Sequence, residues 1–370
     1  MPRRDVAIYS PYASQLYEPN AATRGGAELQ TYMLAAGLAE RGLKVGHIVL
    51  PLKGAGDSSP AGVDVVERPP FAGQRPKVGK AQEIAAVWRA LSCADARVYV
   101  FRSGWAAMGI AGLFCVLRRR RLVWASASDL DFSLFFFRGK RADRELFKFG
   151  VRRSAAAVVQ TGHQARLAEQ TFGRLNRVVE IPSFAREAEL SAHTPEAFLW
   201  TGQLEEFKNP LAYVELARNV PEAKFWMIPR FVEKEASLGE QVKRAADELP
   251  NLELLEARPY PEAMELVARS VAVVNTSPSE GMPNTFLEAW ARGIPALTLQ
   301  FDPDGRIQAD GLGAAAQGSP EQFAQGAREL WNGRADRAEL STRVRDHVRA
   351  THGVGPVADR WLELIRELLA

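Results

Sequence analysis

The stretch VAVVNTSPSEGMPNTFLEAWARGIPALTL, Val271 to Leu299, decides the fold. Its first five residues, Val271 to Asn275, are apolar and mostly β-branched, the composition of a buried strand. Pro283 followed by Asn284 and Thr285 starts a helix that runs past Glu288, and Gly293 stops it. Ala296 to Leu299 then reads as the next strand. Strand, helix and strand within thirty residues is the βαβ unit of a parallel sheet.

The same alternation extends to both ends of the chain. Upstream, strands are predicted at Val6–Ser10, Val45–Leu50, Val63–Glu67, Val98–Arg102, Leu122–Ala125, Ala156–Gln160 and Val178–Ile181, with helical segments between most of them. The second half adds Phe198–Thr201, Lys224–Ile228 and Leu252–Leu255 to the two strands of the opening stretch. Ser183 to Pro195 is polar, lacks an apolar period and ends in proline, as a linker does. The expected class is therefore α/β, with two Rossmann-like doubly wound domains facing a central cleft. Residues 1–183 would form the amino-terminal domain, 184–195 the linker and 196–355 the carboxyl-terminal domain. Residues 356–370 carry Val357, Trp361, Leu364, Ile365 and Leu368 at helical spacing, a last amphipathic helix able to pack on either domain.

Composition agrees with this. Of 370 residues, 46% are hydrophobic and 25% charged, which excludes a disordered or fibrous chain and suits two cores. The start, MPRRDVAIYSPYA, lacks the apolar run of a signal peptide, and no uncharged apolar run reaches spanning length. A cytoplasmic protein is the expectation. Cys93 and Cys115 stand alone and read as small core residues, and the five histidines share no metal-ligand spacing. No structural metal is expected.

The opening stretch also carries chemistry. Gly281 lets backbone approach a ligand, and the helix start just beyond it offers unsatisfied N–H donors to a diphosphate. Glu280 and Glu288 could each accept paired hydrogen bonds from vicinal hydroxyls, so that together they would grip the two sugars of a nucleotide sugar. A capping loop followed by a solvated glutamate fits the spacing equally well.

With its flanks, SEGMPNTFLEAWARGIPAL (residues 279–297) resembles the E-x7-E region of retaining glycosyltransferase family 4, whose members have the GT-B fold. The resemblance implies that Glu280 faces the donor hexose and Glu288 holds the ribose. The backbone from Gly281 through Met282 and Pro283 to Asn284, with Thr285, would contact sugar and phosphate. Upstream, FLWTGQLEEFKNP resembles the family's strand and loop that carry an arginine and a lysine on the diphosphate. Lys208 matches the lysine, where a fixed cation would stabilise the charge of the departing nucleoside diphosphate. Gln203 stands where the family has arginine, and an amide cannot neutralise a phosphate; Arg230 is a candidate substitute.

The order strand, Gly25-Gly26, helix resembles the family's amino-terminal donor loop, although a Gly-Gly pair also serves as a plain turn. In ASASDLDFS (residues 125–133), Asp129 and Asp131 occupy the place of a histidine that many members direct at the sugar. Lys208, Glu280 and Asp129 are thus the implied catalytic groups. His163, after Thr161, resembles the family's T-x-x-Q stretch, in which Thr161 and Gln164 form a capping box. FDPDGRI (residues 301–307) resembles a loop of polysaccharide-assembly members, and reads equally as a turn. The implied activity moves a sugar from a UDP- or GDP-sugar to a hydroxyl of a glycan or lipid-linked acceptor, with no cofactor and no obligatory metal. A nucleotide-sugar epimerase, a synthase of the same fold, or a non-catalytic sugar-nucleotide binding subunit are the rivals.

Charge is unevenly spread. Arg118 to Arg153 holds eleven Lys/Arg against four Asp/Glu, interleaved with Phe132, Phe135, Phe136, Phe137, Phe147 and Phe149. Basic and aromatic residues together suit an anionic membrane surface; buried phenylalanines beside solvated arginines would give the same composition. No nucleic-acid-binding motif accompanies the segment, so no nucleic acid partner is expected.

Overall fold

The computed structural model describes residues 3–18, 25–52, 59–70, 79–104, 106–134, 137 and 140–370. Two compact units result, one of Met1–Phe184 with Val354–Ala370 and one of Ala185–Gly353.

The first unit is built on seven strands: β1 (Arg4–Tyr9), β2 (Val45–Val49), β3 (Val63–Glu67), β4 (Ala96–Arg102), β5 (Arg121–Ala125), β6 (Ala156–Val159) and β7 (Val178–Glu180). All pair in parallel, in the order β3-β2-β1-β4-β5-β6-β7. Its helices are α1 (Gly26–Glu40), α2 (Lys80–Ala94), α3 (Ala107–Arg118), α4 (Leu130–Ser133), α5 (Arg141–Arg153) and α6 (Gly162–Phe172). Strand alternation divides the core between the two faces of the sheet. Val6 and Ile8 pack with Leu29, Met33 and Leu38 of α1, whereas Ala7 and Tyr9 pack with Phe101, Phe114 and Trp124.

The second unit repeats the plan with β8 (Ala197–Gln203), β9 (Phe225–Arg230), β10 (Leu252–Leu254), β11 (Ser270–Asn275), β12 (Ala296–Thr298) and β13 (Gly313–Ala315), again parallel and ordered β10-β9-β8-β11-β12-β13. Between and after them run α7 (Pro210–Asn219), α8 (Ala236–Asp247), α9 (Tyr260–Ala268), α10 (Asn284–Trp290), α11 (Arg306–Ala309), α12 (Pro320–Asn332) and α13 (Ala338–His352). Phe198 and Trp200 face one core layer, Ala197 and Leu199 the other. The expected α/β class with two doubly wound sheets is what the chain adopts. In both sheets the order reverses beside the first strand, β1/β4 and β8/β11, and a ligand crevice opens at the carboxyl ends of such a pair.

Four details depart from the sequence reading. Strand β13 is not among the strands predicted from sequence: it is three small residues, and Gly313 sits at φ +145°, where a Cβ would lie 1.8 Å from the Ala296 carbonyl oxygen. The last helix, α14 (Val354–Leu369), starts two residues before Pro356 and belongs to the first unit, burying Val357, Trp361, Leu364 and Ile365 against α1 and the β1 side of the sheet. Cys93 is exposed, because α2 buries the face of Val87, Ala90, Leu91 and Ala94 instead. Phe132, Phe137 and Phe147 lie inside the first core and are not surface groups. Phe135 and Phe136 fall outside the described residues. Residues 185–195 form no helix or strand and are tied to the second unit, Ser191 N–H donating to the Arg292 carbonyl and its hydroxyl to that of Ala268.

Candidate functional site in the second unit

Two loops leave the carboxyl ends of β8 and β11, the strands that flank the switch point of the second sheet. They are fastened to each other. The Thr276 hydroxyl, just after β11, donates to the Lys208 carbonyl at 2.6 Å and accepts from the Trp200 indole N–H at 3.0 Å. Lys208 is therefore set by a buried threonine on the neighbouring loop. Asn209 follows in the left-handed region, φ +47°, and Pro210 opens α7.

Lys208 and Glu280, 72 residues apart, form an ion pair, and the Asn275 amide lies 3.5 Å from the same Glu280 oxygen. Asn275 is itself oriented by the Ser277 N–H, which donates to its Oδ1 at 3.0 Å. Both charged side chains are only partly exposed, 29% and 14%. A cation and a carboxylate held together in a partly desolvated crevice are matched to a ligand with an anionic part beside a hydroxyl-bearing part. Gly281 is buried, and Met282, Pro283, Asn284 and Thr285 line the chain into α10 half-exposed, with Pro283 as its N-cap. No side chain caps this end, so the first N–H groups of α10 lack intrahelical acceptors.

Glu288, one turn into α10, heads a second cluster. Its carboxyl accepts a hydrogen bond from the Tyr260 side chain and feels the cations Arg186 and Arg292; burial nonetheless holds its pKa above the ordinary value. The Arg186 guanidinium lies over the Tyr260 ring, 5.1 Å from its centroid, and also bonds the tyrosine. Arg292 donates to the Glu288 carbonyl at 2.8 Å. Tyr260, Arg186 and Arg292 come from α9, the segment before β8 and the turn after α10. Their separation in sequence left no pattern by which to find them.

Gln203 ends β8 exposed to solvent, and its register partner on β9 is Arg230, also exposed. Paired residues of a parallel ladder share a face of the sheet, so a cation stands one strand away from where arginine was expected. In FDPDGRI, Asp302 accepts from the Ile307 and Gln308 N–H groups at 2.8 and 3.3 Å, so this loop is a turn that caps α11.

The other candidates lie in the first unit. Gly25 is the N-cap of α1 and Gly26 its first residue; both are exposed, and a Cβ on Gly25 would meet the Glu28 carboxylate at 2.0 Å. Residues 19–24 of that loop lie outside the described residues. Asp129 accepts from the Gln164 amide at 3.0 Å, with His163 Nε2 at 3.8 Å. Thr161 caps α6 by accepting from the Gln164 N–H, and the Gln164 side chain accepts from Ser126 and from the Gln160 N–H. Asp131 is buried and holds the loop, accepting from the Ala127 and Ser128 N–H groups and the Ser103 hydroxyl. Its contacts are those of a loop anchor.

Two family models match consecutive parts of the chain. Residues 25–183 match a glycosyl transferase 4-like domain and residues 195–333 match glycosyl transferases group 1. Among solved structures, the sucrose-phosphate synthase of Thermosynechococcus elongatus superposes with a TM-score of 0.75 at 13% identity, over 99% of either chain. HepE of Anabaena, solved in complex with UDP, gives 0.73 at 14% identity over 98% of this chain and 100% of that one. The N-terminal domain of a Candida albicans trehalose-6-phosphate phosphatase gives 0.74 at 11% identity, covering 100% and 97%. At such identities these structures speak for the fold, that of the GT-B glycosyltransferases.

Proposed function

Because the chain is a family-4-like glycosyltransferase with the GT-B fold, we propose that it transfers a hexose, with retention of anomeric configuration, from a nucleoside-diphosphate sugar to a hydroxyl of a glycan or lipid-linked acceptor in cell-surface polysaccharide or glycolipid assembly. The observation that carries this reading is the Lys208–Glu280 pair, fixed by Thr276 at the carboxyl ends of β8 and β11. UDP is the first donor base to try, since HepE was solved with UDP and with UDP-glucose; GDP is the second.

In this reading Glu280 accepts from hexose hydroxyls and Glu288, set by Tyr260, from the ribose. The bond between the anomeric carbon and the diphosphate oxygen breaks as the acceptor oxygen bonds to that carbon, and the acceptor proton leaves with the nucleoside diphosphate or to solvent. Lys208 offsets the charge that builds on the leaving group, which is where a preorganised cation acts most strongly. Arg230 supplies the second cation in place of the arginine that Gln203 displaces. The N–H groups at the start of α10 and the Gly25-Gly26 turn complete the phosphate contacts, and no metal or cofactor is required. The enzyme works in the cytoplasm beside an anionic membrane that carries its acceptor.

The test is release of nucleoside diphosphate from a panel of UDP- and GDP-sugars in the presence of lipid extract, with the glycosylated product's anomeric configuration read by NMR. Turnover that is lost in Lys208→Ala and Glu280→Gln, and unaffected by EDTA, is expected. Full turnover in both variants would remove the site assignment, and an inverted product would remove retention.

A further inference from the structure

Helix α3 is apolar on more of its surface than its core requires. Met108, Ala111, Phe114 and Cys115 are buried, yet Leu113, Val116 and Leu117 are exposed by 47, 53 and 64%. Spaced i, i+3 and i+4, these three form one stripe. Single exposed aliphatics are ordinary, whereas a contiguous stripe marks a surface that something covers.

The neighbours of the stripe say what that is. Val116 lines a concavity of about 750 Å³ together with Arg120, Arg121, Arg152, Arg153 and Phe149. Arg118 and Arg119 follow directly at the helix end, and all of these arginines except the half-buried Arg120 are exposed. Arg120 pairs with Asp95, and Glu145 is the acidic group of the concavity. Among the described residues, Arg118, Arg119, Arg121, Arg152 and Arg153 make no ion pair. The backbones that carry the cations are close to each other, because α5 packs on α3 through glycines: a Cβ on Gly150 would lie 2.3 Å from the Met108 carbonyl oxygen, and one on Gly112 would lie 3.0 Å from Gly150. The two packed helices thus present the stripe and both arginine clusters on one face.

We infer that this face of the first unit, Leu113, Val116 and Leu117 ringed by Arg118, Arg119, Arg121, Arg152 and Arg153, docks on an anionic phospholipid bilayer. Aliphatic side chains suit the acyl boundary and the surrounding guanidinium groups suit the headgroup phosphates and carboxylates. A second copy of the chain would oppose like charge to like charge. The surface differs from the one composition suggested, since Phe132, Phe137 and Phe147 are core and α3 supplies the apolar part. It lies at the amino-terminal edge of the sheet, where β5 and β6 begin, so docking leaves the carboxyl edge with Gly25 open. No helix among the described residues is long and apolar enough to cross a membrane. The inference localises the membrane contact of the proposed function, and rests on that reading only for the purpose of the contact.

The test is sedimentation of the full chain with phosphatidylcholine vesicles, with and without phosphatidylserine, at low and high salt. Binding to the serine-containing vesicles alone, abolished by high salt, is expected. Each arginine near such a surface accounts for about fivefold in affinity, so Arg121→Gln with Arg153→Gln should lower binding by more than about tenfold, and Val116→Gln with Leu117→Gln should lower it comparably while nucleotide binding in vesicle-free buffer stays unchanged. No sedimentation of the wild type, or equal binding by both double variants, would overturn the inference. So would tighter, equally arginine-dependent binding to duplex DNA, which would make the face a nucleic-acid surface. Calorimetric nucleoside-diphosphate binding by a wild type that ignores vesicles would sink the docking and leave the glycosyl-transfer reading standing.

Discussion

Replacing Tyr260 by phenylalanine should weaken donor binding in mildly acidic solution and leave it unchanged in alkaline solution. Burial raises the pKa of Glu288, and the Tyr260 hydrogen bond heads the influences that oppose this, ahead of Arg186 and Arg292. In the proposed function a ribose hydroxyl donates to the ionised carboxylate, so donor binding draws on the ionised fraction. A hydrogen bond to a charged group contributes about 1.5–3 kcal/mol, and the half-exposed position of Glu288 favours the lower end. Its loss should reduce the ratio of ionised to protonated Glu288 by about tenfold. That reduction appears in full where protonation dominates, and on the alkaline side affinity should stay within about twofold. The sign for stability is the reverse of the usual carboxylate: a raised native pKa means that the folded state holds the proton more tightly, so stability falls as pH rises from the ordinary carboxylate range through the raised value. Tyr260→Phe should widen that window. Calorimetric titration of nucleoside diphosphate across pH is the assay. A loss equal at every pH would mean that Tyr260 contacts the nucleotide itself, and no loss anywhere would mean that Glu288 does not hold the ribose.

Lys208→Ala should lower nucleoside-diphosphate affinity about ten- to hundredfold, the range of one charge-assisted contact, while leaving affinity for the uncharged nucleoside unchanged; equal losses for both ligands would contradict a phosphate role. Gly150→Ala places a methyl group 2.3 Å from the Met108 carbonyl oxygen and should cost about 1–3 kcal/mol by overpacking, seen as a lower melting temperature, with an unchanged midpoint refuting the tight α3–α5 crossing. His47 is fully buried against the Tyr17 hydroxyl at 2.6 Å, and burial holds its pKa down to about 3. The unfolded chain therefore takes up a proton that the native state refuses, and stability should decline as pH falls from about 6.5 toward 3, by on the order of several kcal/mol. His47→Gln should flatten that decline in acid unfolding curves; an unaltered slope would place the acid sensitivity elsewhere.

What the sequence disclosed followed from local pattern. Apolar runs such as Val271 to Asn275 are buried on both faces and need no partner to be recognised, so twelve of the thirteen strands were legible. Strand β13 was not, because Gly313-Ala314-Ala315 has no β-branched residue and exists through the close approach of Gly313 to Ala296, a demand made by the neighbouring strand. The same distinction separates the parts of the site. Lys208 and Glu280 lie in recognisable motifs, but that they touch depends on β8 and β11 being adjacent at the point where strand order reverses. The Tyr260, Arg186 and Glu288 cluster depends on three segments that share no period. Gln203 shows how much the register decides. As a sequence position it removes a cation, whereas in the sheet it stands opposite Arg230, and charge that one strand lacks is present on the next. In the proposed function the cations that meet the ligand therefore belong to the carboxyl edge of the sheet, shared between neighbouring strands, and a motif read along one strand records only part of that edge.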